Sequence, residues 1–197
     1  LEDTNLSPEK LKNEFGQEVL FLVEGVTKLG KIEYSPNSPN KKTGPDNINS
    51  LKKMFFAMAE DIRVILIKLA DRYHNMETLK YQNKAAQKRI ASETLEIFAP
   101  IAARLGIGNL KGQLEDMSFP YVYPDEYAWF IKNVKDKYAD RMEYIDQTKP
   151  LIKRYLADAG INVLDLNSRA KYHYSLYNKI RMHDMDVEKV YDLGAMR

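Results

Sequence analysis

The chain has 197 residues, no cysteine, and 30 Lys plus Arg against 28 Asp plus Glu, for a formal net charge of +2. That length suffices for one sizeable domain or one and a half smaller ones. The missing thiols exclude disulfides and thiolate metal centres, and the near balance of charge argues against direct nucleic-acid binding, so any anion site must be local.

No stretch approaches the roughly 20 apolar residues of a membrane span, and no signal-like start is visible. These features predict a soluble, cytoplasmic chain with no membrane partner. It starts at Leu1 without an initiator Met and reads as a fragment cut at both ends.

In chain order, Ser7-Pro8-Glu9 predicts an N-cap with proline at the first helical position, opening a short helix that stops near Gly16. A second helix is expected from about Gln17 to Lys28. Between Tyr34 and Asn47, Pro36, Pro39, Gly44 and Pro45 stand among Asn, Ser and Lys and predict an irregular loop. Helical spacing then recurs over 49–59, 61–79, 84–104 and 109–117, with Gly106 placed to cap the third of these.

Pro124-Asp125-Glu126 opens a further helix with a one-sided stripe through Tyr127, Phe130, Ile131, Val134, Tyr138 and Met142, and Pro150 is expected to kink or split it. After Gly160, Ile161, Val163, Leu164 and Leu166 predict a short strand. A basic loop, a helix from Tyr172 to Met182 and a second possible strand from Lys189 to Met196 follow. This end reads as the opening of an α/β or α+β unit, too short to close a sheet.

The segment with most chemical content is Leu69 to Met76, LADRYHNM. Ile62, Val64, Ile65, Leu66, Ile67 and Leu69 precede or open it and predict a helix that is apolar almost all round and buried in a core. Asp71 and Asn75, four apart, share a helical face, with His74 close to it. A buried carboxylate needs compensation, so Asp71 either pairs with a cation such as Arg72 or ligates an ion.

Several motifs in order, Leu1-Glu2-Asp3-Thr4, VEGVTKL (23–29), IRVILIKLADRYHNMETL (62–79), ASETLEIFAPIAARLGI (91–107), LKGQLEDMSF (110–119), SRAKYHYSLYNKI (168–180) and VYDLGAMR (190–197), resemble the RelA/SpoT family. That family makes and destroys the alarmone (p)ppGpp. The resemblance implies a mainly α fold: the C-terminal part of an HD-type helical hydrolase domain over 1–107, a helical connector over 108–159, and from 160 to 197 the start of an α/β nucleotidyltransferase-like synthetase domain.

In the hydrolase, the resemblance implies Mn²⁺ held by two histidines, the Asp of a His-Asp pair and the Asp of the LADRxHNM motif, here Asp71, with Asn75 near the substrate. Glu2 and Asp3 match the Glu-Asp pair after that dyad, a position around the nucleophilic water, and the other three ligands would lie before Leu1. His74 stays out of the ligand set, and Arg72 is expected to hold Asp71 or a neighbouring carboxylate. The motif is intact, which favours a parent with a working hydrolase.

For the synthetase, Arg169, Lys171, Ser175 and Lys179 would line the ATP side, Asp192 would bind Mg²⁺, and Arg197 is a further candidate. The implied partners are ppGpp, GDP, GTP and ATP, with ribosome contact only through regions outside the chain. The pattern departs from the family at Ser168, at the order Tyr172-His173, and at Gly194, which should weaken its strand. The second metal-binding acid and the guanine-stacking tyrosine would lie beyond Arg197.

Two other readings stand beside this one. One is a catalytically incomplete regulatory or interaction fragment of the same family, working by helix docking. The other is a generic HD-type phosphohydrolase, against which the SRAKYHYS segment argues.

Overall fold

The computed structural model describes residues 6–30, 61–166, 168–190 and 194–196. It is mainly helical, carries two short strands, and divides into two compact units, residues 1–114 and 115–197. The predicted loop at 34–47 and helix at 49–59 lie outside the described residues.

The first unit opens with α1 (Pro8–Gly30), whose N-terminus is capped as its sequence predicts: Ser7 Oγ accepts the Lys10 N–H at 3.3 Å. The expected break falls at Gly16, where φ 86° and ψ 169° are non-helical and suit a residue without Cβ. The helical path then resumes to Gly30, so α1 is the two predicted helices joined at a bend.

In α2 (Ile62–Glu77), Asp61 caps the first turn by accepting the Arg63 N–H at 2.8 Å, and its carboxylate also holds the Arg63 guanidinium, which reaches Glu18 of α1. The expectation of a helix buried all round is corrected. Val64, Ile65, Leu69, Arg72 and Met76 form the buried stripe, whereas Ile62, Leu66 and Ile67 are exposed. A run of apolar residues carries no phase of its own, and packing of one face on the unit's core selects the stripe.

A 3₁₀ turn (Leu79–Tyr81) leads to α3 (Lys84–Glu93), capped by Asn83, whose Oδ1 accepts the Ala86 N–H at 2.9 Å. Helical winding continues through a π turn at Thr94–Phe98 into α4 (Ala99–Arg104), in keeping with the single predicted helix over 84–104. Pro100 brings no N–H to the carbonyl of Glu96, and the widened turn sits directly before it. Gly106, at φ 77°, closes α4. Its N–H bonds Ala103 O at 3.0 Å and the Ile107 N–H bonds Ala102 O at 2.9 Å, the paired bonds of a Schellman end.

α5 (Gly108–Val122) is longer than the predicted 109–117 and runs from the first unit into the second. α6 (Pro124–Asp158) starts with proline in its first turn and Asp125 and Glu126 beside the positive end of the helix. It continues through Pro150, so of the expected kink or split the split does not occur. Pro150 is exposed, so water can take over the carbonyl that loses its donor.

The strand predicted over Ile161–Leu166 does not form. The Ile161 N–H is used to close α6 on Leu156 O at 2.8 Å, and Ile161 and Leu164 are exposed. Instead β1 (Ser168–Ala170) pairs antiparallel with β2 (Gly194–Met196) in the register Ser168↔Met196, Arg169↔Ala195, Ala170↔Gly194. The second strand is thus shorter than the predicted Lys189–Met196, because Val187–Lys189 winds into a 3₁₀ turn.

Between the strands lies α7 (His173–Arg181), within one residue of its predicted ends. Phe119, Phe130, Val134, Leu176, Tyr177, Ile180 and Val190 form the core here. Phe119 meets the rings of Tyr127, Phe130, Tyr174 and Tyr177 at centroid distances of 5.1–6.1 Å, mostly edge to face.

Candidate functional site

In the first unit the candidate residues sit on the outward side of α2. Asp71 is about half-exposed, with 43% of its side chain accessible, and its two oxygens are divided between neighbours. Lys68 Nζ lies 3.0 Å from Oδ2, and Asn75 Nδ2 donates to Oδ1 at 3.3 Å. The predicted sharing of a face by Asp71 and Asn75 is therefore realised as a direct contact. His74 is exposed on the same turn.

Arg72 points the other way. Its guanidinium is 3.0 Å from Glu93 of α3 and 4.2 Å from the centre of the Phe98 ring. Of the two sequence options for Arg72, the neighbouring carboxylate is the one observed. Asp71 is consequently neither buried nor paired with a guanidinium. Burial pulls the Arg72 guanidinium down from its ordinary value, opposed by the charge of Glu93 and its hydrogen bond. Lys68 is the partner that sequence reasoning missed, although its spacing of three from Asp71 was readable.

Glu2 and Asp3 lie outside the described residues. Among the described residues no group of three or more His, Cys, Asp or Glu is placed to hold a metal ion. Asp71 thus fits the place of one ligand and no more, with a lysine ammonium already against one of its oxygens.

In the second unit, Arg169 lies in β1 opposite Ala195, and Lys171 follows directly. Ser175 and Lys179 are half-buried, one turn apart on α7. Asp192 and Arg197 lie outside the described residues.

The N-terminus of α7 is occupied by acids that sequence reasoning did not assign. Tyr172, at the cap position, does not cap the helix with its side chain. Asp116 of α5 does so instead: Oδ2 accepts the His173 N–H at 3.1 Å and Oδ1 accepts the Tyr174 N–H at 2.9 Å. One residue along each helix, the Ser175 hydroxyl donates to Glu115 Oε2 at 3.3 Å. The only sequence signal was a helix lacking its own cap and an unexplained acidic pair far upstream.

Aromatic packing braces this end. Tyr174 stacks on Tyr123 at 6.2 Å with an interplanar angle of 9°. Burial raises the Tyr174 phenol above its ordinary value, partly offset by a hydrogen bond with Asn178, so it remains protonated through the neutral range.

Comparisons with known proteins give a consistent family pattern. The family model of the HD domain matches residues 1–108. Over 197 residues the chain is 43% identical to a probable guanosine-3′,5′-bis(diphosphate) 3′-pyrophosphohydrolase of Synechocystis, covering all of this chain and 25% of that protein. It is also 43% identical to a GTP pyrophosphokinase of Myxococcus xanthus, covering 26% of it. With the bifunctional (p)ppGpp synthase/hydrolase SpoT of Escherichia coli K12 the identity is 39%, over 27% of that protein. The chain spans about a quarter of the length of these curated relatives.

Proposed function

Since the chain belongs to the RelA/SpoT family of HD-domain proteins, we propose that it is part of an enzyme that both hydrolyses and synthesises (p)ppGpp in the cytoplasm. The domain division follows the family: residues 1–107 contribute to the hydrolase, 108–159 connect, and 160–197 begin the synthetase.

On the hydrolase side the reaction is removal of the 3′-diphosphate from (p)ppGpp by water. Asp71 supplies one carboxylate to a divalent ion, taken to be Mn²⁺, whose remaining ligands are not among the described residues. Such an ion lowers the pKa of bound water and neutralises charge on the phosphoryl group. Asn75 keeps Asp71 oriented through its amide and lies beside the substrate. Glu2 and Asp3 act around the attacking water.

The observation that carries this reading is an accessible Asp71 carboxylate in contact with Asn75. Arg72 is committed inward to Glu93, and Asp71 is left on the accessible face with, among the described residues, Lys68 and Asn75 against its oxygens. Consecutive residues of a helix point in different directions, so Arg72 packs inward while the Asp71 carboxylate stays open to a ligand from outside the helix.

On the synthetase side, pyrophosphate passes from ATP to the 3′ hydroxyl of GDP or GTP, a reaction governed by positioning and cationic charge. Arg169, Lys171, Ser175 and Lys179 face ATP, and Asp192 holds Mg²⁺.

The test is a pair of variants in the intact protein. Asp71→Ala is expected to lose (p)ppGpp hydrolysis and keep ATP-dependent synthesis, and Lys179→Ala the reverse. Hydrolysis at the normal rate by Asp71→Ala removes Asp71 from the site.

A further inference from the structure

The first turn of α7 is held from outside by two consecutive acids. The N–H groups at a helix start have no partner within the helix, and Tyr172 offers no side chain to them. Asp116, 57 residues upstream of His173, takes the first two, one with each carboxylate oxygen, at 3.1 and 2.9 Å. A carboxylate there also meets the positive end of the helix. Glu115 accepts the hydroxyl of the third residue, Ser175, at 3.3 Å. Three successive residues of α7 are thereby tied to two successive residues of α5.

Such a clamp sets both the axial position of α7 and its rotation about its own axis. Two bonds to the backbone fix where the helix begins. The third fixes which way Ser175 points, and Lys179 lies one turn further on the same side. With Asp116 seated, the helix-end N–H groups of His173 and Tyr174 are already bonded. A triphosphate approaching this end must then be met by side chains rather than by backbone amides.

We propose that Asp116 is a positioning residue for pyrophosphate transfer: it fixes α7 so that Ser175 and Lys179 present a set geometry to ATP, with Glu115 aligning the Ser175 hydroxyl. This rests on the synthetase reading given above. Misplacement of a reacting group by about 1 Å costs on the order of a hundredfold in rate, so loosening the clamp acts on turnover more than on ATP affinity.

The experiment measures synthesis and hydrolysis by the intact protein carrying Asp116→Ala, Asp116→Asn or Lys179→Ala. Asp116→Ala is expected to lower kcat for synthesis by about tenfold or more, with KM for ATP and the hydrolysis rate close to normal. Asp116→Asn keeps one acceptor oxygen but sets an amide NH₂ against the other helix-end N–H, so only part of the lost kcat should return. A folded Asp116→Ala protein with normal synthesis overturns the proposal. So does loss of synthesis and hydrolysis in equal proportion, which marks a general structural role. Should the alanine variant not fold, Asp116→Asn decides alone: a clear loss of kcat for synthesis with hydrolysis close to normal is expected, and normal synthesis in a folded protein, or an equal loss of both activities, overturns the role. Lys179→Ala separates the two readings. Normal synthesis there removes the ATP-facing assignment itself, whereas an inactive Lys179→Ala beside an unimpaired Asp116→Ala removes only the clamp.

Discussion

Arg72 and Glu93 meet at 3.0 Å across α2 and α3, with about a tenth of each side chain accessible, and the Arg72 cation lies against the face of Phe98. Among the described residues, the buried Nε of Arg72 has no hydrogen-bond partner. The pair therefore carries a desolvation cost that the ion contact and the Phe98 ring only partly offset. Arg72→Met should destabilise by about 3–5 kcal/mol, because it strands a buried carboxylate. The double change Arg72→Met, Glu93→Met should cost far less than the sum of the two single changes. Urea unfolding of all three variants checks this, and simple additivity would show that the two charges are not coupled.

Asp71 presents the opposite case. Its ion pair with Lys68 is three residues apart on an accessible face, a type worth at most about 1 kcal/mol. Asp71→Asn should shift the unfolding free energy by no more than that while removing hydrolysis. A loss of stability of several kcal/mol would make the carboxylate a structural element instead.

Gly25 faces Val64 so closely that a Cβ would stand 2.8 Å from Val64 Cγ2. Val64 is buried in the stripe of α2 and has nowhere to retreat. Gly25→Ala should destabilise by about 1–3 kcal/mol through overpacking. Adding Val64→Ala should recover part of that loss, a non-additive result that thermal or urea unfolding will register. Equal cost in both backgrounds would mean that the helices do not approach as described.

Gly106 isolates backbone strain from packing. At φ 77° a side chain there meets no atom within 4 Å, so any penalty for Gly106→Ala comes from the left-handed backbone alone. About 1–2 kcal/mol is expected, and Gly106→Asn should lose less, since Asn enters that conformation more readily. Equal stability of the three proteins would show that α4 ends differently in solution.

Local chemistry was readable from the sequence and long-range pairing was not. Ser7, Gly16 and Gly106 act on their immediate neighbours, and each does in the structure what its residue type predicts. The orientation of α2 was not readable, because the four consecutive apolar residues Val64–Ile67 occupy every side of a helical turn and carry no periodic phase. The pattern of Ile161, Val163, Leu164 and Leu166 resembled a strand, but the first N–H of the run is taken by the end of α6. Pro150 was expected to kink or split a helix that continues through it, exposed to solvent. At the candidate sites, the contact of Asp71 with Asn75 follows from spacing. The partner of Arg72 and the acids at the start of α7 depend on how distant segments meet.

The long sequence separation of Asp116 from His173 also bears on how this part of the chain is made. During synthesis the acid emerges well before the amides it will engage, and the ring of Phe119 emerges well before Tyr174 and Tyr177. Until the polypeptide has grown past α7, α5 and α6 expose greasy surface that later residues cover, a vulnerable interval for a nascent chain. Recombinant pieces ending inside α6 would make that interval permanent and should aggregate, whereas pieces extending beyond Val190 carry the cover with them.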